Sequence, residues 1–368
     1  MRLYFNIAKY LFIVLLMGAF LMGAWGGKLN PSVWGPLPEL FVLAFPLTLA
    51  ISFLALVVVL IRKSFVAALL LGACFVASIP MISTTFARPS LFRGKPSMID
   101  PVRTIKVMSY NVHGFNAEDH RVRNRNNITM EAIIKQDADV VALQEAVYYG
   151  WNYADVPSIK PMLDTLCSMY PYRTDSRSNK VTLFSKYPFT TTELVHNQVK
   201  NTYGKLVKRT DACAYHISLP NNKSITLVNG YLSSYLLNHN ERSLLTLTKQ
   251  SKGDSLSLFN KFEQALSLRV RQTEQIATFI KNNPGNIIMC CDMNDVPGSY
   301  CYRLLIDAGL NDAFAEQGNG YLHTFNHQHY LFHLDHILYR GDLKPVHFER
   351  HKIGISDHYP ITATFVVE

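Results

Sequence analysis

Long uncharged apolar runs fill the first 87 positions of the chain, and short ones broken by polar turns fill the rest. Residues 10–25 carry no charge. Extended back to Phe5, that stretch is long enough to cross a bilayer, with the Lys9 stem reaching out to water. Residues 40–61 and 65–86 are each 22 uncharged positions. As helices they would measure about 33 Å, against a hydrocarbon core of roughly 30 Å. The pattern therefore predicts three transmembrane helices, at about 5–25, 40–61 and 65–86, the last two joined as a tight hairpin through Arg62-Lys63-Ser64. Pro46 and Pro80 fall inside them, which membrane helices tolerate. Trp25 and Trp34 suit the interface. A cleaved signal peptide would read similarly at first, but two more spans follow and Lys28-Leu-Asn-Pro is a poor exit.

Beyond a Pro- and Gly-bearing linker at 88–102, apolar runs rich in β-branched residues recur at 105–110, 139–143, 181–184, 211–218, 224–229, 286–290, 333–339 and 361–367. Helical spacing marks 126–136, 161–169 and 264–280. Many strands with few, scattered helices predict an α/β domain at 103–368, built on packed sheets clad by helices rather than on strict βαβ alternation.

Composition sharpens this division. The chain is 48% hydrophobic and 17% charged, with mean hydropathy +0.06, and six Cys in 368 residues exclude a small disulfide scaffold. Of 36 Lys/Arg and 27 Asp/Glu, residues 1–96 hold eight bases and one acid, Glu39, so the net charge of +9 lies mostly in the apolar head. The body carries only +2 and all 13 His. The basic residues divide four against four between the two membrane sides. The compact Arg62-Lys63 pair tips the body toward an extracytoplasmic location at a bacterial-type plasma membrane.

Polar residues gather where the predicted strands end. Asn111 and His113 follow the first, Gln144 and Glu145 the second, and Asp292, Asn294 and Asp295 the run at 286–290. Asp335 and His336 sit within the strand HLDHILY, and Asp357 and His358 precede the last strand. A carboxylate at the end of an apolar strand is costly unless it has a partner. Converged on one sheet edge, these acids and amides suit a hard divalent ion, Mg²⁺ or Mn²⁺.

The motifs SYNVHG, LQEA, SKYP, DMND, LDHIL and SDHYP occur in this order between residues 109 and 360. In that order and spacing the chain resembles the endonuclease/exonuclease/phosphatase superfamily, whose members include pancreatic deoxyribonuclease, abasic-site endonucleases, inositol-polyphosphate 5-phosphatases and neutral sphingomyelinases. The resemblance implies a four-layer α/β sandwich of two packed mixed sheets, here preceded by the three-helix transmembrane segment. It implies Glu145 as main metal ligand, with Asn111 and Asp357 as a second set. Asp292 would orient or deprotonate the attacking water, and Asn294 would bind that water or a phosphoryl oxygen. His358, held by Asp335, would donate on the phosphate side, and Asn111 would also touch substrate. Where the family often has His in an N-T-H-L strand end, this chain has Asn229-Gly-Tyr231-Leu, so Tyr231 is the expected donor. Cys291 replaces a usual Gly, Met293 a common Phe, and His333 a frequent Arg.

The expected activity is membrane-anchored, divalent-metal-dependent hydrolysis of a phosphoester by in-line water attack. An endonuclease is the alternative within that chemistry, and an inactive membrane-tethered binding module the alternative outside it. A transporter is disfavoured because, beyond Lys9, the spans hold no ionisable residue. Substrates expected are a lipid headgroup, a small phosphoester or nucleic acid, with the bilayer as the other partner and no protein partner indicated. His113 is read as structural and Cys290 as a buried thiol. Arg269 and Arg271 are read as the solvated face of a helix. His323, His327, His329, His333 and His336 leave a zinc site open. The body is expected to work without its head.

Overall fold

Side chains alternate between the two faces of a strand, and in this protein one face of each central strand is apolar almost to its end. The computed structural model describes residues 2–89, 91, 104–116, 127–146, 160–174, 179–200, 205–235, 255–326, 331–353 and 356–368. They form two compact units. One comprises Met1–Phe86, Tyr235–Val270 and Asp295–Leu304; the other comprises Ala87–Ser234, Arg271–Asn294 and Leu305–Glu368.

The second unit holds two six-stranded sheets. The strands of these two sheets are β1 (Thr104–Asn111), β2 (Val140–Gln144), β3 (Tyr172–Arg173), β4 (Val181–Ser185), β5 (Phe189–Lys200), β6 (Leu206–Ser218), β7 (Ser224–Tyr231), β8 (Ile287–Asp292), β9 (Asn311–Asp312), β10 (Asp335–Arg340), β11 (Leu343–Arg350) and β12 (Ile361–Val367). One sheet runs β11-β12-β1-β2-β4-β3, the other β9-β10-β8-β7-β6-β5. Both have the same plan. A parallel pair lies at the centre, β1/β2 in one and β7/β8 in the other, and every other pairing is antiparallel.

The core lies between the sheets. Ile105 and Val107 of β1, Val140 and Ala142 of β2, Ile225 and Leu227 of β7, Ile288 and Cys290 of β8, and Ile337 and Tyr339 of β10 belong to one buried cluster. The odd residues of β1 thus face inward. Its even residues Met108 and Tyr110 face outward, onto Met130 and Ile133 of helix Ile128–Gln136 and Leu166 of helix Lys160–Met169. On the other sheet, Gln272 of the helix Ser255–Asn282 donates to Asp211 at 3.2 Å, and Phe279 lies 6.5 Å from the His216 ring. Helices therefore flank both sheets, giving the four-layer α/β sandwich. All six cysteines lie among the described residues, and none is disulfide-bonded.

The sheets are tied by an amide. Asn229 Nδ2 donates to the carbonyls of Leu143 at 3.1 Å and Thr182 at 2.9 Å, and its Oδ1 accepts from Gln144 Nε2 at 2.8 Å. Three bonds to a buried side chain from the opposite sheet fix the slide of one sheet over the other.

In the first unit the helices are α1 (Arg2–Trp25), α2 (Pro31–Trp34), α3 (Leu37–Leu43), α4 (Phe45–Ile61), α5 (Phe65–Ala77) and α6 (Ile79–Thr85). Phe20 of α1 stacks on Phe45 at 5.7 Å and meets Phe75 at 5.0 Å. Outward, Phe53, Leu54, Phe65, Val66 and Leu69 are each at least 60% exposed. The segment Lys9–Lys28 is long and apolar enough to cross a membrane. The two 22-residue runs are not straight helices. Each breaks, by 67° between α3 and α4 and by 56° between α5 and α6. Pro46 and Pro80 stand just after the breaks, where a ring without an N–H ends the preceding ladder. If each bent pair is one span, the spans number up to three.

Arg269 corrects its sequence reading. It is fully buried and ion-paired to Asp295 at 3.1 Å, whereas Arg271 is exposed. The strand expected from His333 begins only at Asp335.

Candidate active site

The inward stripe of each central strand ends in a polar residue. On β1 the series Ile105, Val107, Ser109 reaches Asn111; on β2 Val140 and Ala142 reach Gln144. On β7 and β8 the stripes reach Tyr231 and Asp292, which are paired in register, and Asp335 opens β10 opposite Asp292. The carboxyl ends of both parallel pairs thus bring their last inward side chains together. Alternation would turn Glu145 outward, but its φ of 51° breaks the strand. The side chain comes back, and its Oε1 lies 3.5 Å from Asn111 Nδ2.

Asn111 Nδ2 also donates to Asp292 Oδ2 at 2.8 Å, while its Oδ1 accepts the His113 N–H at 3.1 Å. Asn294, at φ 48°, donates its backbone N–H to Asp292 Oδ1 at 2.9 Å and its side-chain amide to the Leu232 carbonyl at 3.0 Å. His358 Nδ1 sits 2.7 Å from Asp335 Oδ2, and its Nε2 3.8 Å from Asp292 Oδ2. Phe325 packs edge-on against its ring at 5.1 Å. Asp357 reaches His113 Nδ1 at 3.4 Å. The structure thereby gathers all eight expected site residues: Asn111, Glu145, Tyr231, Asp292, Asn294, Asp335, Asp357 and His358. His113, read as structural, joins them at the exposed rim.

Lys180 escaped the sequence reading. Its Nζ lies 3.5 Å from Glu145 Oε2 and 4.7 Å from the centre of the Tyr231 ring. The signal was strand register. Gln144 pairs with Val181, so an antiparallel partner strand must put residue 180 beside residue 145, and the Glu145 N–H donates to the Lys180 carbonyl at 2.7 Å.

The electrostatics follow from these contacts. Burial pushes the Glu145 carboxyl up, but Lys180, the Tyr231 hydroxyl and His113 outweigh it and hold it below the usual value. Burial, and then Glu145 and Asp292, push the Tyr231 hydroxyl far up, so it stays a donor. Burial also raises Asp292 well above the carboxylate range, despite the opposing pull of His358. For His358 burial acts downward, yet Asp335 and Asp292 win and raise it to about 10. Four carboxylates meeting two imidazoles and one ammonium leave a surplus of hard oxygen donors. That donor set fits a hard divalent cation. Asp292, Asp335 and His358 are themselves close enough to share an ion. No histidine cluster forms among the described residues. His323 instead contacts Arg350 at 2.9 Å, and His333 stacks on His336 at 4.4 Å. His327 and His329 lie outside the described residues.

The His358 shift predicts a pH dependence of stability. The folded protein binds this proton more tightly than the unfolded chain, whose His titrates near 6.5. The stabilisation is full below pH 6.5 and is lost as pH rises through about 10. With cations chelated, the melting temperature should fall from pH 7 to pH 10, and His358→Gln should flatten that fall. An unchanged slope in the variant would place the titration elsewhere.

The model of the endonuclease/exonuclease/phosphatase family matches residues 108–358. Three solved structures are similar. A sphingomyelinase C from Streptomyces griseocarneus is 17% identical with TM-score 0.44, covering 71% of this chain and 99% of its own. Truncated Caenorhabditis elegans TDP2 is 18% identical with TM-score 0.42, covering 72% and 98%. An endonuclease/exonuclease/phosphatase family protein from Bacteroides thetaiotaomicron is 14% identical with TM-score 0.45, covering 74% and 99%. No curated protein sequence matches the chain.

Proposed function

The chain belongs to the endonuclease/exonuclease/phosphatase family and is a hydrolase of phosphate ester bonds, and from that premise we propose that it is a membrane-anchored enzyme that needs Mg²⁺ or Mn²⁺ to direct water onto a phosphoester. The observation that carries this reading is the contact chain Glu145–Asn111–Asp292–His358–Asp335, every link 3.8 Å or shorter.

In the proposed mechanism Asp292, fixed by Asn111 and the Asn294 N–H, orients the attacking water and accepts its proton. Its raised affinity for protons suits an acceptor working near neutral pH. Asn294 bonds the water or a phosphoryl oxygen. His358, kept protonated by Asp335, presents Nε2–H to the phosphoryl oxygens, where negative charge grows. Tyr231 donates beside it. Glu145, Asn111 and Asp357 hold the cation, which when bound supplies charge neutralisation for the phosphoryl group. Lys180 adds a fixed positive charge behind Glu145. The outward apolar side chains of α1–α6 support a membrane region at residues 1–87, and the Arg62-Lys63 loop favours an extracytoplasmic side for the catalytic domain at 103–368.

A smaller phosphoester is favoured over intact duplex DNA. A duplex nuclease needs several cations along a groove. Here Lys208 pairs with Glu193, and Arg209 pairs with Asp211 at 3.0 Å. Full-length protein in detergent should hydrolyse bis-p-nitrophenyl phosphate with Mg²⁺ and stop in EDTA; full activity in EDTA would defeat the metal reading. DNA binding should depend shallowly on salt. A fall of about 10³–10⁵ in affinity from 50 to 200 mM salt, with plasmid nicking, would restore the nuclease alternative.

A further inference from the structure

The first unit holds a buried polar cluster that the catalytic contacts do not use. Arg269 is wholly buried, bonded to the Tyr235 hydroxyl at 3.0 Å, stacked over the Tyr235 ring at 4.4 Å and ion-paired to Asp295 at 3.1 Å. Tyr235 in turn stacks on Phe262 at 4.5 Å. Asp295 follows Asn294 directly in the chain. Five residues further on, the helix Tyr300–Asp307 begins.

That helix and the N-terminal helices cap each other. Glu39 of α3, only 3% exposed, accepts the Tyr300 N–H at 2.8 Å. A carboxylate there satisfies an otherwise orphan donor at the positive end of the helix. In return Arg303 donates to the Ala24 carbonyl at the end of α1 at 3.0 Å, and to the Gly298 carbonyl at 3.0 Å. Between these bonds two backbones touch. A Cβ added to Gly27 would lie 1.9 Å from the Gly298 oxygen, and one added to Gly298 would lie 2.2 Å from the Met81 sulfur of α6. The end of α1, the start of α3 and the final helix of the head thus grip one segment, Asp295–Leu304.

We propose that the N-terminal helices are a positioning element of the enzyme: Glu39, Gly27 and Ala24 clamp Asp295–Leu304, and the clamp holds Asn294 through the next peptide bond. This rests on the hydrolase reading for its kinetic arm alone, and it reverses the expectation that the body works without its head. Glu39 and Arg269 touch no reacting atom and act through the segment. A misplacement on the order of 1 Å in a reacting group can cost about 10²-fold in rate.

The test uses full-length protein in lipid nanodiscs with Mg²⁺ and bis-p-nitrophenyl phosphate. Glu39→Leu and Gly27→Val should each lower kcat about ten-fold or more with little change in KM, and should raise hydrogen exchange at the amides of 295–304. Glu39→Gln, which keeps an acceptor oxygen, should recover most of the rate. Leu69→Ala, on an exposed apolar face, should change neither readout. In a second arm a protease site is inserted between Gly94 and Lys95 and cut. The clamp should keep the cut body on the membrane through a high-salt wash, and Glu39→Leu should release it. Wild-type kcat and unchanged exchange in both clamp variants, or release of the cut wild-type body, would overturn the proposal. Loss of the hydrolase reading would show separately, as a wild-type protein without activity whose exchange and release behaviour still follow the clamp.

Discussion

Glu145→Gln is expected to lower turnover by about 10²-fold or more, the scale of losing one electrostatic stabiliser in a closed site. The substitution keeps the shape and removes the charge. It leaves Lys180, 3.5 Å away, facing a neutral amide, and it removes the carboxylate that most directly fits the cation. The loss should come with weaker Mg²⁺ binding by calorimetry, since a hard cation discriminates strongly between carboxylate and amide oxygen. A variant with near-normal turnover and near-normal metal affinity would remove Glu145 from the centre of the mechanism.

His358→Gln should cost turnover on a similar scale, and Asp335→Asn nearly as much. The informative measurement is the double variant. Asp335 lies 2.7 Å from His358 Nδ1 and contributes most to holding the imidazole charged against the effect of burial. If the carboxylate works only by orienting and charging that ring, it has nothing left to do once the ring is gone. The double variant should then be no worse than the worse single one, within a few-fold. Losses that multiply would mean that the two residues act separately.

The site was legible because its residues close apolar strands. Asn111, Glu145, Asp292 and Asp357 each follow or precede a run that can only be a buried strand, so the sequence marks them as polar groups in need of partners. Lys180 was not legible, since it precedes a strand and matters only through the register of β4 against β2. The four edge strands β3, β5, β9 and β11 were missed for a related reason; β3 and β9 are only two residues long. β5, FTTTELVHNQVK, and β11, LKPVHFER, lie at sheet edges, pair on one side only and carry little apolar alternation. β11 even contains Pro345, which an edge tolerates. The burial of Arg269 was hidden because its partner Asp295 lies in a different part of the chain. Local helical spacing does not reveal which face such a contact covers.

The interleaving of the first unit has a consequence for biosynthesis. Glu39 and Tyr300 are 261 residues apart in the chain. At about 5–20 residues per second, the ribosome needs on the order of 13–50 seconds after the head emerges to make the amide that Glu39 accepts. Throughout that interval Glu39 lacks the donor that Tyr300 supplies in the folded protein. The final arrangement is reached only when Asp295–Leu304 packs against the head, a step that comes after most of both sheets has been synthesised.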